Sequence, residues 1–396
     1  MFLKGASKVL LKDVKIMISN DSVEDEMDPI CAQYETYTTV RFIFITIATV
    51  IACLGTACNL LLMHIFAAKK TKITPATLYP TILAFLDFAI CLEYLLLFGV
   101  DAAVSFLRIE SLFLLYYMYI IPAYVASRIT QLAIPYMLIF ATVERLVWTS
   151  GKIRSRFLLA MNSTSGRYFT AVISLLVCVI LRLPTAFATE VGVYPQCEDF
   201  FRTMTTQPRA WTYDSEIYYF FDFHLMTIAQ TVVPFVILLA LNIVIIRKIT
   251  ASDQKKEILC NGRDIGPLNS SKSFSAFCER SSKRASIAIT LSIRSMKKVS
   301  ASVRSAIMTM VAIVASYLIS NTLHLILTVM ERSDHPLLHD TEDPLLSSTF
   351  HTFFSDSVSF VYMFTSAIRI LIYFFCNPVI RSDIRNFFHA NDEVNL

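Results

Sequence analysis

The stretch FIFITIATVIACLGTACNLLLMHIF, from Phe42 to Phe66, runs for 25 residues without an aspartate, glutamate, lysine or arginine. A helix of about 20 apolar residues crosses the roughly 30 Å hydrocarbon core of a bilayer. A helix in a soluble core normally keeps a polar face, so a continuous apolar run of this length is hard to explain in a soluble protein. The stretch therefore predicts a membrane-spanning helix.

The same pattern recurs along the chain. The 396-residue sequence is 55% hydrophobic and 17% charged, with a mean hydropathy of +0.57, which is too apolar for a soluble domain of this length. Seven spans are predicted, at about 42–66, 77–100, 117–147, 168–190, 217–247, 302–330 and 352–376. We predict an all-α membrane protein, a seven-transmembrane helix bundle with a short amphipathic helix 8.

Basic residues concentrate in alternate loops between the predicted spans. The longest loop, from Arg247 to Arg304, has thirteen lysines or arginines against four acids, whereas the loops on the other side are acidic. Lysine and arginine are retained on the cytoplasmic side of a membrane. The pattern predicts a multi-pass plasma-membrane protein with an extracellular tail over 1–41, a seven-span domain over 42–376 and a cytoplasmic end over 377–396. A long cytoplasmic loop is expected at about 248–302.

Two candidate modification sites fit this topology. Asn20 begins an Asn-Asp-Ser sequon in the predicted extracellular tail, where glycosylation can occur. The long cytoplasmic loop is rich in serine, lysine and arginine, and its KRAS motif ends at Ser286, a candidate phosphorylation site.

A glutamate and an arginine stand side by side near the end of the third predicted span, in FATVERLVW from Phe140 to Trp148. Other motifs follow in order through the spans: Gly55 with Asn59, LAFLD ending at Asp87, Pro234, and IYFFCNPVIR from Ile372 to Arg381. Together they resemble the rhodopsin-like (class A) G-protein-coupled receptors over about residues 40–390. The resemblance implies a receptor that activates a heterotrimeric G protein.

The resemblance also implies roles for individual residues. Glu144, Arg145 and Tyr373 would serve G-protein coupling and activation, together with Asn242, which stands where the family usually has a tyrosine. The end of the chain resembles the family's helix 8, with an apolar face of Val379, Ile380, Ile384, Phe387 and Phe388 expected to face membrane lipid.

The predicted intramembrane polar core comprises Asn59, Asp87 and Arg369, and it departs from the family pattern. Arg369 replaces the asparagine of the seventh-span motif, and Ile134 replaces a polar residue of the family's sodium site. A lone charge in hydrocarbon is costly, so we infer that Arg369 pairs with Asp87 and makes the receptor insensitive to sodium. The alternative is that Arg369 extends towards the cytoplasm.

A second departure concerns the cysteines. The family usually has a cysteine at the outer end of the third span, but this position is Ile120. The resemblance therefore leaves Cys197 without its usual partner, and Cys31 is the other cysteine predicted to be extracellular. A Cys31–Cys197 disulfide is one hypothesis, and two free thiols are the alternative.

The local sequence resembles the invertebrate FMRFamide-type neuropeptide receptors and their nematode relatives, in YIIPAYVASRITQLAIPYMLIFATVERLVW, LRLPTAF and SNTLHLIL. This resemblance implies an amidated peptide ligand with an arginine, which acidic outer loops would attract. The candidate pocket residues are Glu93, Ser127, Arg128, Gln131, Gln230, Asn321 and His324. Glu93 would bind the ligand arginine, or alternatively pair with Arg128, and His324 is alternatively a packing residue.

The sequence also has to be compared with what functions other than a neuropeptide receptor would require. A chemosensory receptor of the same superfamily for a small molecule remains open. A seven-span ligand-gated channel subunit of the insect olfactory type carries its amino terminus inside, opposite to the charge pattern here, and a transporter commonly shows an internal repeat, which is not found. We expect no enzyme activity, no cofactor, no metal site and no nucleic-acid partner.

Overall fold

The computed structural model describes residues 38–68, 77–150, 156–161, 163–261, 305–331, 333, 335–339 and 348–394. Within these residues, seven helices are long and apolar enough to cross a membrane. They are α1 (Thr39–Ala68), α2 (Leu78–Leu107), α3 (Glu110–Ser150), α4 (Thr164–Ala188), α5 (216–261), α6 (Ser305–Glu331) and α7 (Thr349–Cys376), and they are followed by α8 (Pro378–Val394). The predicted seven-helix fold with a helix 8 is confirmed.

The structure extends several spans beyond their predicted ends. Helix α2 reaches Leu107 instead of about residue 100, and α3 begins at Glu110 instead of about residue 117. The apolar pattern is interrupted at Asp101 and Glu110. For this reason the prediction from hydropathy ended α2 too early and began α3 too late. Asp101 is nevertheless helical, because its side chain faces a cavity inside the bundle and not hydrocarbon.

Apolar side chains cover both the inside and the outside of the bundle. The interior is a cluster of buried residues drawn from most of the spans, including Leu83, Leu132 and Ile313. Large apolar side chains also face outward, among them Phe169 and Ile180 at 67% and 65% exposure. An exterior of this kind suits a surface that meets lipid, because acyl chains solvate it without cost.

Helix α1 packs closely against α7 because Gly55 has no side chain. A Cβ atom added at Gly55 would lie 2.6 Å from Cβ of Ala367 and 2.9 Å from Sγ of Cys91. One turn later, the buried Asn59 amide donates hydrogen bonds to the carbonyl oxygens of Gly55 (3.0 Å) and Ser366 (3.2 Å). The Gly-Asn pair therefore ties α1 to α7 in the middle of the bundle.

Two spans contain π-helical segments. In α2 the segment is Leu95–Gly99, and in α5 the segments are Phe220–Leu225 and Ile228–Val232. A π-helical turn shifts the direction of the side chains that follow, and such turns are frequent at functional sites. Here these segments place Leu97, Phe98 and Gln230 on the cavity wall.

Helix α8 begins where the chain turns at Asn377. The Asn377 Oδ1 atom accepts hydrogen bonds from the backbone N–H groups of Val379 (3.1 Å) and Ile380 (3.3 Å), which caps the helix. Ile380 and Ile384 are buried in the main apolar cluster. The prediction that both face lipid is wrong: they close the end of the bundle, while Val379 is 49% exposed.

The connection between α4 and α5 forms an antiparallel hairpin. Strand β1 (Thr189–Val193) pairs with β2 (Met204–Pro208), with Val191 opposite Thr206. The turn between the strands packs Phe200 and Phe201 onto Phe113 of α3, with ring centroids 5.3 Å apart in both pairs. The hairpin is thereby held against the start of α3, at the end of the bundle that we call the cavity end.

Candidate functional site

A cavity of about 410 Å³ lies among the helices at the cavity end. Its wall comes from α1, α2, α3, α5, α6 and α7, and the hairpin contributes Thr189 and Thr206. Apolar and aromatic residues such as Tyr94, Ile120 and Tyr362 make much of the wall. A cavity of this size with a few polar groups is typical of a small-molecule or peptide-end binding site.

Six of the seven predicted pocket residues line this cavity: Ser127, Arg128, Gln131, Gln230, Asn321 and His324. Glu93 does not line it. The Glu93 side chain is buried and accepts a hydrogen bond from Oγ1 of Thr130 at 2.9 Å. This placement corrects both expectations for Glu93, since the carboxylate neither faces the cavity nor pairs with Arg128. The carboxylate on the wall, among the described residues, belongs to Asp101.

A hydrogen-bonded chain of polar residues runs behind one side of the cavity. The buried Arg182 of α4 contacts Asp222 at 3.3 Å and donates to Gln230. Gln230 in turn donates to Gln131 (3.3 Å), and Gln131 donates to the Ser127 hydroxyl (3.0 Å). The chain joins α4, α5 and α3, so it fixes the orientation of three cavity residues.

The cavity also meets α6 and α1. Asn321 donates a hydrogen bond to the carbonyl oxygen of Thr231 at 3.2 Å, which joins α6 to α5. On the opposite side, Arg41 of α1 binds the buried Asp356 of α7 with an Nε to Oδ2 distance of 2.7 Å. The arginines on the wall therefore differ, because Arg41 has a carboxylate partner and Arg128 has none among the described residues.

The predicted polar core lies deeper in the bundle. Asp87 of α2 and Arg369 of α7 are both buried, and the Arg369 Nη1 atom contacts Oδ2 of Asp87. Asp87 precedes Ile90, a cavity residue, by three positions on α2, and Arg369 follows Met363, another cavity residue, by six positions on α7. The Asp87–Arg369 ion pair therefore lies about one to two turns below the cavity, with Asn59 bonded to the adjacent turn of α7.

The residues predicted for G-protein coupling lie at the other end of the bundle. Glu144, Arg145, Asn242 and Tyr373 are all buried there. Glu144 forms an ion pair with Arg167 at the start of α4, at 3.0 Å between Nε and Oε1. Arg145 also has an interaction partner. The ring of Tyr373 packs edge-on against Phe66 of α1 at 5.4 Å.

Cys197 is disulfide-bonded in the structure, whereas Cys53, Cys58, Cys91, Cys178 and Cys376 are free. Cys31 lies outside the described residues, so the Cys31–Cys197 pairing stays a prediction. Asn20 and Ser286 also lie outside the described residues. Within the described ranges, no cluster of histidine, cysteine and acidic side chains could hold a metal ion.

Arg182, Asp222, Arg167 and Asp101 are among the site residues that the sequence did not single out. A charged side chain within an apolar span is a functional candidate, because its burial must be compensated. That signal was present for Arg182, which stands inside the fourth predicted span. The proximity of Asp222 and Arg167 to their partners depends on how α4 packs against its neighbours, which no single-sequence pattern reports.

The geometry has a counterpart among solved structures. The crystal structure of squid rhodopsin matches with a TM-score of 0.56 and 15% sequence identity, over 94% of this chain and 88% of that chain. The chain has the rhodopsin fold. A search with family profiles finds no matching family. A search of curated proteins finds no relative. Because a fold hosts many functions, the function has to be argued from the site.

Proposed function

We propose that the chain is a G-protein-coupled receptor that binds an extracellular ligand and activates a heterotrimeric G protein. The observation that carries the proposal is the arrangement of three features along one bundle. A cavity with several polar side chains in its wall lies at one end, the Asp87–Arg369 pair lies in the middle, and Glu144 and Arg145 lie at the other end. The charge bias of the loops supports an extracellular cavity.

Helix α7 links the cavity to the opposite end of the bundle, so a ligand can act on both through this helix. A buried ion pair has few alternative arrangements, because separating its members leaves a charge in a medium of low dielectric constant. A ligand that contacts Tyr362 or Met363 on the cavity wall acts on α7, which also carries Arg369 and Tyr373. The ligand then shifts the balance between two packings of α7, provided that it binds one of them more tightly.

An amidated neuropeptide of the FMRFamide type is the ligand class proposed first. Acidic residues of the hairpin and its surroundings, such as Glu190 and Glu216, would attract an arginine-containing peptide. Among the described residues of the cavity wall, the carboxylate belongs to Asp101, which would exchange its present partner for the arginine of the ligand. Glu93, which is turned towards Thr130, would not take part.

The proposal is tested by measuring nucleotide exchange on a panel of G proteins in membranes that contain the chain. The membranes are challenged with amidated RF-type peptides and with their free-acid forms. We expect exchange with at least one peptide, and we expect Asp101→Asn to lower its potency while the matched control Glu93→Gln does not. The Arg145→Gln variant should still bind the peptide but not catalyse exchange.

Silence of the surface-expressed chain with every G protein and every peptide would reject the peptide ligand. A small-molecule chemoreceptor is then the second candidate. The volume of the cavity favours it, because about 410 Å³ holds a small organic molecule or the end of a peptide but not a whole folded ligand. Exchange catalysed by neither class of ligand would reject the receptor function itself.

A further inference from the structure

Arg128 is the arginine of α3 that faces the cavity. Its guanidinium carbon lies 5.6 Å from the centroid of the Tyr124 ring, one turn earlier on the same helix. Among the described residues, the buried Nε atom of Arg128 has no hydrogen-bond partner. This donor therefore contacts neither bulk water nor an acceptor in the described part of the chain.

The acidic side chains near Arg128 already interact with other residues. Asp222 and Glu331 act on Arg128 electrostatically, but Asp222 contacts Arg182 at 3.3 Å and Glu331 contacts His351 at 3.5 Å. On the cavity wall, Arg41 already binds Asp356. Asp101 also has an interaction partner. Arg128 consequently forms no ion pair with any carboxylate in the described part of the chain.

Arg128 is only partly exposed, and shielding a cation from water without a counter-ion is unfavourable. A guanidinium stays protonated in proteins, so Arg128 cannot relieve the cost by releasing a proton. Contact with the face of Tyr124 compensates the charge only in part, because a cation–π interaction is worth less than a hydrogen-bonded ion pair. The cavity therefore has a positive site whose missing partner is an anion or another strong oxygen acceptor.

A second unpartnered atom lies on the same wall. Among the described residues, the buried Nδ1 atom of His324 on α6 has no hydrogen-bond partner, and His324 is close enough to Arg128 to interact with it electrostatically. His324 lines the same cavity, so the cavity that contains Arg128 also contains an imidazole that can donate a hydrogen bond.

We infer that Arg128 is an anion-binding residue and that the ligand of this cavity carries a carboxylate, which the Arg128 guanidinium binds. This inference rests on the proposed receptor function and names the ligand chemistry of the same site. The carboxylate can be an acidic side chain or free terminus of a peptide, or the acid group of a small organic molecule. An amidated peptide has to supply it from an aspartate or glutamate side chain.

The test uses the purified full-length chain in lipid nanodiscs, without G protein, at fixed pH and ionic strength. The probes are matched pairs that differ only in a carboxylate and its amide. One arm compares short peptides that contain aspartate with the same peptides that contain asparagine, and peptides with a free carboxyl terminus with their amidated forms. The other arm contains small mono- and dicarboxylic acids against their amides. Binding is measured as ligand-induced thermal stabilisation over a concentration series.

The expected result is that the acids bind about 10- to 100-fold more tightly than their amides, as expected for a hydrogen bond to a charged group. Arg128→Gln should remove this preference, and Arg128→Lys should retain part of it. Arg209→Gln is the matched control, because it removes the same charge from an exposed arginine at the cavity end that is not among the residues lining the cavity. The arm that shows the preference identifies the source of the carboxylate.

Three outcomes would overturn the inference. These are equal binding of acids and amides throughout the panel, no binding by any acid, and an acid preference that persists in Arg128→Gln. Failure of the receptor function is distinguishable, because binding is read without a G protein. An acid-selective chain that never catalyses nucleotide exchange would retain the anion site and reject the receptor.

Discussion

Asp87 and Arg369 compensate each other's burial within the bundle. Removing one member of a buried pair typically costs about 3 to 5 kcal/mol, because the remaining charge has no partner. We expect Asp87→Asn and Arg369→Gln each to lower thermal stability and signalling. The exchanged variant with Arg at 87 and Asp at 369 should recover part of both, measured by thermal unfolding in detergent and by nucleotide exchange.

The Asp87–Arg369 pair is also the basis for the prediction that the receptor is insensitive to sodium. Because the Arg369 guanidinium already binds the Asp87 carboxylate, raising the sodium concentration at constant ionic strength should leave the affinity for the ligand unchanged. A sodium-dependent affinity that disappears in Asp87→Asn would contradict the proposed substitution of an arginine for the ion. Potassium at the same concentration is the control.

Glu144 interacts electrostatically with two arginines at the opposite end of the bundle. Arg167 contacts its carboxylate at 3.0 Å, and Arg145 is its sequence neighbour. Removing Arg167 leaves the carboxylate to Arg145, so we expect Arg167→Gln to lower basal nucleotide exchange and Glu144→Gln to raise it. Arg209→Gln, which affects an exposed pair with Glu190 at the cavity end, should do neither. Equal basal exchange in all four proteins would show that Arg167 does not compete for Glu144.

At the scale of elements, the contact between α1 and α7 depends on Gly55. Gly55→Ala places a Cβ atom 2.6 Å from Cβ of Ala367, so we expect a loss of about 1 to 3 kcal/mol, as for overpacked cores. Ala367→Gly removes the opposing atom and should restore part of the loss in the double variant. Thermal unfolding of the four proteins in a double-mutant cycle measures the coupling. Purely additive effects would mean that the two helices separate without strain.

The sequence predicted the elements better than it predicted side-chain directions. Each span contains a long and largely apolar run, and hydropathy detects such runs directly. The π-helical segments of α2 and α5 leave no compositional signal, because they differ from an α-helix only in hydrogen bonding. The burial of Ile380 and Ile384 was also missed, since an amphipathic helix can turn its apolar face to lipid or to protein.

The candidate site shows the same limit. Polar residues within apolar spans point inward, and for this reason six pocket residues were predictable. Glu93 was misplaced because adjacent residues on a helix differ by about 100° in direction. Tyr94 lines the cavity, whereas Glu93 turns to Thr130. The orientation of a helix about its axis is set by packing, which the sequence does not state.

For the whole molecule, the orientation in the membrane is a prediction from loop charge. The sequon at Asn20 should be glycosylated. The sequons at Asn162 and Asn269 should not be, because both lie in loops on the predicted cytoplasmic side of the membrane. Treatment with a glycosidase should shift the mobility of the full chain, and Asn20→Gln should abolish the shift. A shift that survives in Asn20→Gln would place one of the basic loops outside.

The hairpin of β1 and β2 bears on how long a ligand remains bound. The Asp199 carboxylate at its turn contacts Arg108, which follows α2, and Arg202 lies 3.8 Å away. Partial burial would raise the pKa of Asp199, but hydrogen bonds from Arg108 and the Phe201 N–H, with the nearby arginine charges, hold the pKa below its ordinary value. The contact is therefore charged at neutral and mildly acidic pH, and it is exposed enough for salt to screen it. For the proposed ligand, we expect escape past the hairpin to be a gated step, with a residence time that shortens as ionic strength rises and that changes little on mild acidification.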